Sequence, residues 1–144
     1  MGDAVMVDPK ETKGPIRFAG YAGLFNIPDA DRDTIRPGAF TATLAARTKA
    51  LPLLWQHRPD QQIGVIESIS EDERGLRVVA RIDRANSRGA QLLRQGEVSG
   101  LSFGYRARQA NHSKAGRELA EIDLFEVSLV THPLQHGARV HFVS

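Results

Sequence analysis

The sequence has no cysteine among its 144 residues, which excludes disulfide bonds, thiolate metal sites and a cysteine nucleophile. It also lacks any apolar run near the ~20 residues that a membrane-spanning helix needs. No basic stretch followed by an apolar core opens the chain, so we expect no signal peptide. An excess of one charge is missing too, because the formal net charge is +2 and the arginines are scattered. Nucleic-acid binding usually requires a basic stripe, so we expect neither a nucleic-acid nor a membrane partner.

The length and the residue pattern predict a single domain behind a short tail. Residues 1–14 are polar and without periodicity, and we expect a flexible N-terminal tail there, followed by one domain over 15–144. Alternating apolar and polar residues predict strands, and two capped segments predict short helices. The strands are expected at 16–24, 51–57, 62–70, 76–83, 98–108, 122–130 and 140–143, and a mobile polar loop is expected at 109–116. One helix is expected at 39–49, and a second is expected to run from an N-cap at Asn86 or Ser87 to Gln95, with Gly96 as its stop. This pattern is typical of an α+β fold, here a mostly antiparallel, β-barrel-like domain of about six or seven strands with a few short helices.

The segment GLSFG at residues 100–104 places a hydroxyl between two glycines of one strand face. Side chains at i−2, i and i+2 of a strand point the same way, so Gly100 and Gly104 flank Ser102. Glycine weakens a strand unless something must approach closely, and an extended peptide lying over Ser102 would do so. The alternative is a bend in the sheet with an incidental serine. Ser99, on the opposite face, is the rival nucleophile.

A serine nucleophile needs a base and a group that orients the base. His57 ends the apolar run LPLLWQH, so its imidazole is expected to lie at the edge of a packed apolar surface, where the chain turns. Glu126 lies within the predicted strand LFEVSLV, where a carboxylate among apolar neighbours requires a partner. His57 would be one such partner. The alternatives are a histidine satisfied by backbone groups and a salt bridge from Glu126 to an arginine.

The remaining histidines give no convincing metal site. His132 and His136 are four residues apart, but Pro133 between them argues against a helix, and His141 follows later. No acidic or cysteine ligand converges on them. We therefore predict no metal and no cofactor.

In combination these segments resemble the tailed-phage prohead protease family, also called head maturation proteases. The resemblance covers nearly the whole chain, from the strand predicted at 16–24 to the strand predicted at 122–130, and its segments occur in the same order as in the family. It rests on FAGYA at 18–22, RPGAF at 36–40, LLWQH at 53–57, GEVSGLSFGY at 96–105 and LFEVSLV at 124–130.

The resemblance implies a serine protease related in fold to the herpesvirus assemblin protease. By position, Ser102 is the nucleophile, His57 the general base and then acid, and Glu126 the third member. The herpesvirus enzymes have a second histidine about where Glu126 falls, and Asp123 and His132 are nearby alternatives. Backbone amides or Arg139 are candidates for stabilising the oxyanion.

The resemblance also implies what the chain acts on and where. The substrate would be the major capsid protein, a scaffold protein or both, and cleavage would let the shell mature. The expected location is inside the immature capsid in the bacterial host cytoplasm, in a phage or in a domesticated phage-like particle such as a gene transfer agent. A homo-oligomer is expected, a dimer being one form. Two alternatives stay open: a catalytically silent capsid-assembly or scaffold protein of the same fold, and a small β domain that binds extended peptides by strand addition.

Overall fold

The structure is a computed structural model, and it describes residues 15–144. The tail expected at 1–14 lies outside the described residues, and the single domain over 15–144 stays a prediction. The described chain forms two short helices and one sheet of eight strands. In chain order the elements are β1 (Ile16–Leu24), β2 (Asp33–Ile35), α1 (Thr41–Ala46), β3 (Pro52–Trp55), β4 (Arg58–Glu71), β5 (Gly75–Ile82), α2 (Arg88–Arg94), β6 (Gly100–Ser113), β7 (Gly116–Val130) and β8 (Val140–Val143).

The sheet has the strand order β2-β7-β3-β4-β5-β1-β8, and β6 pairs with β7. Most neighbours are antiparallel, as expected, but β7 runs parallel to β2 and to β3. The sheet is therefore mixed and is not closed into a barrel, so the barrel-like part of the prediction is not confirmed. Alternation along a strand specifies which face is buried, whereas it says nothing about which edges pair.

β7 is the strand that positions the site. One of its edges pairs with β6 along nearly its whole length, from Gly116 to Val130. Its other edge pairs first with β2 and then, near the end of the strand, with β3. Elements that are far apart in sequence consequently meet at the C-terminal half of β7.

The core follows from the predicted alternation. β5 shows the pattern clearly, because Leu76, Val78, Ala80 and Ile82 are buried while Arg77 is exposed. The largest fully buried side chains of the core are Phe18, Phe40, Leu53, Ile66, Leu76, Ile82, Leu101, Leu119, Ile122 and Leu129. Burial of apolar area at about 25 cal/mol per Å² is the main force holding these strands together.

Local signals predicted several boundaries correctly. The strand at 16–24 and the strand at 140–143 have the predicted bounds. The polar turn between β4 and β5 is closed by Asp72, whose carboxylate accepts from the backbone N–H groups of Arg74 and Gly75. Ser87 caps α2 by accepting from the Ala90 backbone N–H, and Gly96 follows the helix with a φ of 74°, as a C-terminal stop requires.

Several predicted boundaries were wrong, including the start of β4, which lies at Arg58 and not at residue 62. Residues 109–116 are not a loop, because β6 and β7 continue as a hairpin to Ser113 and Gly116. That part of the hairpin is largely exposed, so its strands carry polar residues on both faces and give no alternation. The first helix is shorter than 39–49 and spans Thr41–Ala46. The strand expected at 51–57 ends at Trp55, and His57 lies in a turn.

Candidate active site

His57 occupies the tight turn between β3 and β4. Trp55 pairs with Arg58, so the turn has two central residues, Gln56 and His57, with φ values of 53° and 60°. A two-residue hairpin of type I′ requires positive φ at both positions, and Asn-Gly is the usual choice. Holding a non-glycine residue in this conformation costs about 1–3 kcal/mol and is characteristic of functional sites.

The turn is held in this conformation by hydrogen bonds to β7 and the residue after it. The Gln56 backbone N–H donates to the Leu129 carbonyl at 3.0 Å. The Gln56 side-chain amide donates to Thr131 Oγ1 at 3.1 Å, and the Thr131 backbone N–H donates to Gln56 Oε1 at 3.2 Å. The His57 backbone N–H donates to Ser128 Oγ at 3.0 Å. These bonds offset the backbone strain and fix the position of the His57 backbone, from which the imidazole extends.

The His57 ring contacts Glu126. His57 Nδ1 lies 2.6 Å from Glu126 Oε2, a distance typical of a charge-assisted hydrogen bond. The Glu126 side chain is 12% exposed and the His57 side chain 42%, so the acid lies behind an imidazole that reaches solvent. The hydrogen bond to Glu126 raises the pKa of His57, burial opposes this, and the negative charge of Glu126 raises it further.

The alternative acid, Asp123, is engaged elsewhere. Its carboxylate forms ion pairs with Arg106 at 2.8 Å and with Arg108 at 3.3 Å. These arginines lower the pKa of Asp123, with the hydrogen bond from Arg106 as the largest cause. Glu126, rather than Asp123, is the carboxylate that the fold brings to His57.

Ser128 is a site residue that the sequence reasoning did not single out. It is fully buried, and its hydroxyl lies 3.0 Å from the His57 backbone nitrogen and 2.8 Å from Glu126 Oε1. The available signal was the alternation, which places Ser128 on the same strand face as Glu126. A buried hydroxyl in a strand needs partners, and those partners prove to be two of the predicted site residues.

Ser102 lies on β6, the strand that pairs with β7 beside Ser128 and Glu126. It is buried and pairs directly across the strands with Ser128, which places the two Cβ atoms about 4.5–5.5 Å apart. Within residues 15–144, no hydrogen bond joins the Ser102 hydroxyl to the His57 ring, and their contact stays a prediction. The fold thus gathers Ser102, His57 and Glu126 in neighbouring rows around Ser128.

The two glycines of the GLSFG segment have a different use from the one expected. A Cβ on Gly104 would lie 2.6 Å from Glu126 Oε2 and 2.9 Å from its Cδ. A Cβ on Gly100 would lie 2.7 Å from the Pro133 ring and from the Val130 carbonyl oxygen. The glycines therefore make room for the protein's own Glu126 and Pro133, and a peptide lying over Ser102 stays a prediction.

A shallow cavity of about 20 Å³ adjoins Ser102, with room for about one water molecule. Its walls are mostly apolar, and polar groups of Asp29, Tyr105 and Gln135 lie along it. Burial raises the pKa of Asp29. The lining residues are Ala22, Asp29, Ile35, Leu101, Ser102, Phe103, Tyr105, Leu134 and Gln135.

An ion pair next to this cavity ties β2 to the start of β7. Arg117 donates to both carboxylate oxygens of Asp33, at 3.1 and 2.9 Å, and the Tyr105 hydroxyl donates to Asp33 Oδ2 at 3.2 Å. The hydrogen bond from Arg117 is the largest cause that lowers the pKa of Asp33. Burial and the charge of Asp33 raise the pKa of Tyr105 to about 12, so this phenol is neutral and serves as a donor.

The rival serine and the candidate oxyanion residue contact each other. Arg139 donates to Ser99 Oγ at 3.2 Å and to the His136 carbonyl at 2.7 Å. Arg139 thus has two polar partners, and its proposed role in stabilising the oxyanion stays a prediction. Among the residues described, no group of three or more histidine, aspartate or glutamate side chains is arranged to hold a metal.

A family model for caudovirus prohead serine proteases matches residues 4–144. The chain belongs to this family. The resemblance inferred from the sequence is thereby confirmed. The prohead protease of Enterobacteria phage HK97 is 33% identical over 130 residues, an alignment that covers 85% of this chain. This chain spans 58% of the length of that relative.

Solved structures of viral proteases share the fold. The KSHV protease, solved with a hexapeptide phosphonate inhibitor, has a TM-score of 0.62 at 15% identity, covering 90% of this chain and 65% of the other. The capsid assembly protease of bacteriophage T4 has a TM-score of 0.61 at 13% identity, covering 79% of this chain and 80% of the other. Both likenesses concern the fold. No helix in the described part of the chain is long and apolar enough to cross a membrane.

Proposed function

We propose that this chain is a serine endopeptidase that trims the capsid protein or scaffold during maturation of a phage, or phage-like, prohead. The observation that carries the proposal is the 2.6 Å contact between His57 Nδ1 and Glu126 Oε2, one row of the sheet away from Ser102. Membership of the prohead serine protease family supports the same reading, as does the capsid-protease fold.

The geometry supports a division of labour among the three residues. Glu126 accepts from Nδ1–H of His57, which leaves Nε2 as the ring nitrogen that takes up a proton. Ser102 Oγ attacks the scissile carbonyl and forms a C–O bond while its proton passes to His57 Nε2. His57 then gives this proton to the leaving amine, and the C–N bond breaks. Water, deprotonated by His57, then attacks the acyl carbon; the acyl C–Oγ bond breaks and His57 returns the proton to Ser102 Oγ, which restores the free enzyme.

The partners and the location follow from the same proposal. The substrate is the major capsid protein or scaffold, and cleavage takes place inside the immature capsid in the bacterial host. The chain acts as a homo-oligomer. It needs no metal or cofactor, because the serine mechanism requires only the base, the acid and oxyanion donors.

The test is co-expression of the chain with the neighbouring capsid gene, followed by mass spectrometry of the capsid protein's N-terminus. We expect trimming by the natural chain and none by Ser102→Ala, with both folded by circular dichroism. A fluorophosphonate should label the natural chain at Ser102. Trimming by a folded Ser102→Ala variant would refute the nucleophile and direct attention to Ser99. A folded chain that neither trims nor is labelled would favour the catalytically silent scaffold protein.

A further inference from the structure

The buried hydroxyl of Ser128 joins two groups that belong to different elements. Its partners are the backbone N–H of His57, in the turn after β3, and the carboxylate of Glu126, on its own strand. We propose that Ser128 is a positioning residue that locks the His57 imidazole and its acid into one geometry. The proposal rests on the catalytic roles given above to His57 and Glu126.

The direction of each bond follows from the chemistry of the groups. A backbone N–H can only donate, so the Ser128 hydroxyl accepts from His57 and keeps its single proton for Glu126 Oε1. An ionised carboxylate can only accept, so its other oxygen, Oε2, takes a proton from His57 Nδ1–H. The three residues therefore form a closed ring of hydrogen bonds that begins at the backbone of His57 and returns to its side chain.

The ring accounts for both features that the proposed base needs. The bond from the backbone N–H holds His57 at its positive φ, and the bond from Nδ1 fixes the ring orientation. Because Oε1 of Glu126 is occupied by Ser128, the carboxylate cannot rotate away without breaking two bonds. The tautomer with a proton on Nδ1 and a free Nε2 is thereby favoured.

A buried serine in a strand could serve packing alone, and the test must separate the two roles. Of the charged groups, Glu126 is the one whose charge acts on His57, so the titration of His57 reports whether the ring is intact. Changes in packing alone would lower the melting temperature and leave that titration unaltered. Titration by ¹H–¹⁵N NMR also reports the imidazole tautomer and needs no substrate.

The experiment compares the natural chain with Ser128→Ala, Ser128→Cys and Ser128→Thr. The alanine change removes both bonds, cysteine keeps the size with a weak donor, and threonine keeps the hydroxyl on a residue suited to strands. The matched control is Ser113→Ala, at the far end of the β6–β7 hairpin. There Ser113 Oγ also accepts from a backbone N–H, that of Ala115, and donates to the Gly116 carbonyl.

We expect the pKa of His57 in Ser128→Ala to fall toward its ordinary value of about 6.5 and the tautomers to mix. The rate of fluorophosphonate labelling at pH 7 should fall about 10- to 100-fold, as for a misplaced catalytic group. Cysteine should give intermediate values, threonine should restore the natural ones, and Ser113→Ala should change neither. If alanine does not fold, the cysteine variant carries the test.

An unchanged titration and tautomer of His57 in folded Ser128→Ala or Ser128→Cys would overturn the inference, whatever the melting temperature. That outcome is distinct from failure of the proposed function, which would show as an unlabelled natural chain. The NMR titration decides the role of Ser128 in either case.

Discussion

Replacement of Gly104 by alanine should disable the site without unfolding the protein. The new Cβ would lie 2.6 Å from Glu126 Oε2, where ordinary contact begins at 3.4 Å, so the carboxylate must retreat by about 0.8 Å. If the oxygen retreats away from His57, the 2.6 Å contact lengthens by up to the same amount, toward about 3.4 Å, which is beyond the usual hydrogen-bond distance. Misplacement of this size costs on the order of 100-fold in rate.

Gly104→Ala should lower the free energy of unfolding only modestly, so the protein should stay folded while its labelling rate falls. Overpacking costs about 1–3 kcal/mol, and the reduced entropy of the unfolded chain returns about 0.4–1 kcal/mol. The assay is the rate of fluorophosphonate labelling at Ser102, with urea unfolding measured in parallel. Gly137→Ala is the matched control, because its Cβ would meet the tip of one flexible side chain, Leu24 Cδ1, at 2.8 Å.

A double-mutant cycle tests the stated cause. If Gly104→Ala acts by displacing Glu126, it should cost little further rate when Glu126 is already alanine, which gives a large coupling between the two changes. Additive losses in rate would refute the displacement argument. A natural labelling rate in folded Gly104→Ala would refute it as well, and would show that the carboxylate can move without consequence.

Three further predictions concern charge. Glu126→Gln should leave the melting temperature nearly unchanged and lower turnover by a factor on the order of 10⁴, because the amide favours the wrong imidazole tautomer; a lower melting temperature with normal turnover would contradict this role. Because Glu126 raises the pKa of His57, the labelling rate should rise with pH as His57 loses its proton, with a midpoint above about 6.5. The stabilisation that the His57–Glu126 pair gives the folded state should be complete below about pH 6.5 and should be lost as the pH rises through the raised pKa of His57. A labelling profile centred at or below about 6.5 would contradict it. Asp33→Asn should lower the free energy of unfolding by about 1–3 kcal/mol at pH 7, since it removes the charge that Arg117 contacts. Because Arg117 lowers the pKa of Asp33, the stabilisation from this ion pair should be present above about pH 3.9 and be lost as the pH falls below it. Urea unfolding of the natural chain and of Asp33→Asn at pH 7 and pH 3 measures the difference in unfolding free energy, and an equal difference at the two pH values would contradict the role of the ion pair.

The sequence was sufficient to predict most strands, because alternation directly reports burial on one face. It also indicated that Glu126 requires a counterpart, as a carboxylate in an apolar strand does, although only the family resemblance favoured His57 over one of the many arginines. Both inferences depend on chemistry that is local to one segment. The ends of β1 and β8 and the cap at Ser87 were predictable for the same reason.

The features that escaped prediction depend on which segments meet. Parallel pairing of β3 with β7 brings Ser128 to the His57 backbone, and no local pattern of either strand specifies that pairing. The pairing of Gly104 with Glu126 across the strands is likewise not specified by the sequence of either strand, so the clearance that Gly104 gives the carboxylate was not predicted. The positive φ of Gln56 and His57 was hidden too, since the Gln-His pair lacks the Asn-Gly type of sequence that usually marks such a turn.

The pairing of β7 with strands from both ends of the chain affects when the protein can become active during folding. Ser102 and Glu126 lie on one hairpin, whose strands can pair early because the intervening chain is continuous through a tight turn. His57 and Glu126 are 69 positions apart, and they meet only when β3 docks in parallel beside β7, a step that requires closure of a long loop. A chain in which only the hairpin had formed would therefore hold the proposed nucleophile and acid without the base, and we expect the proposed activity to depend on complete assembly of the sheet.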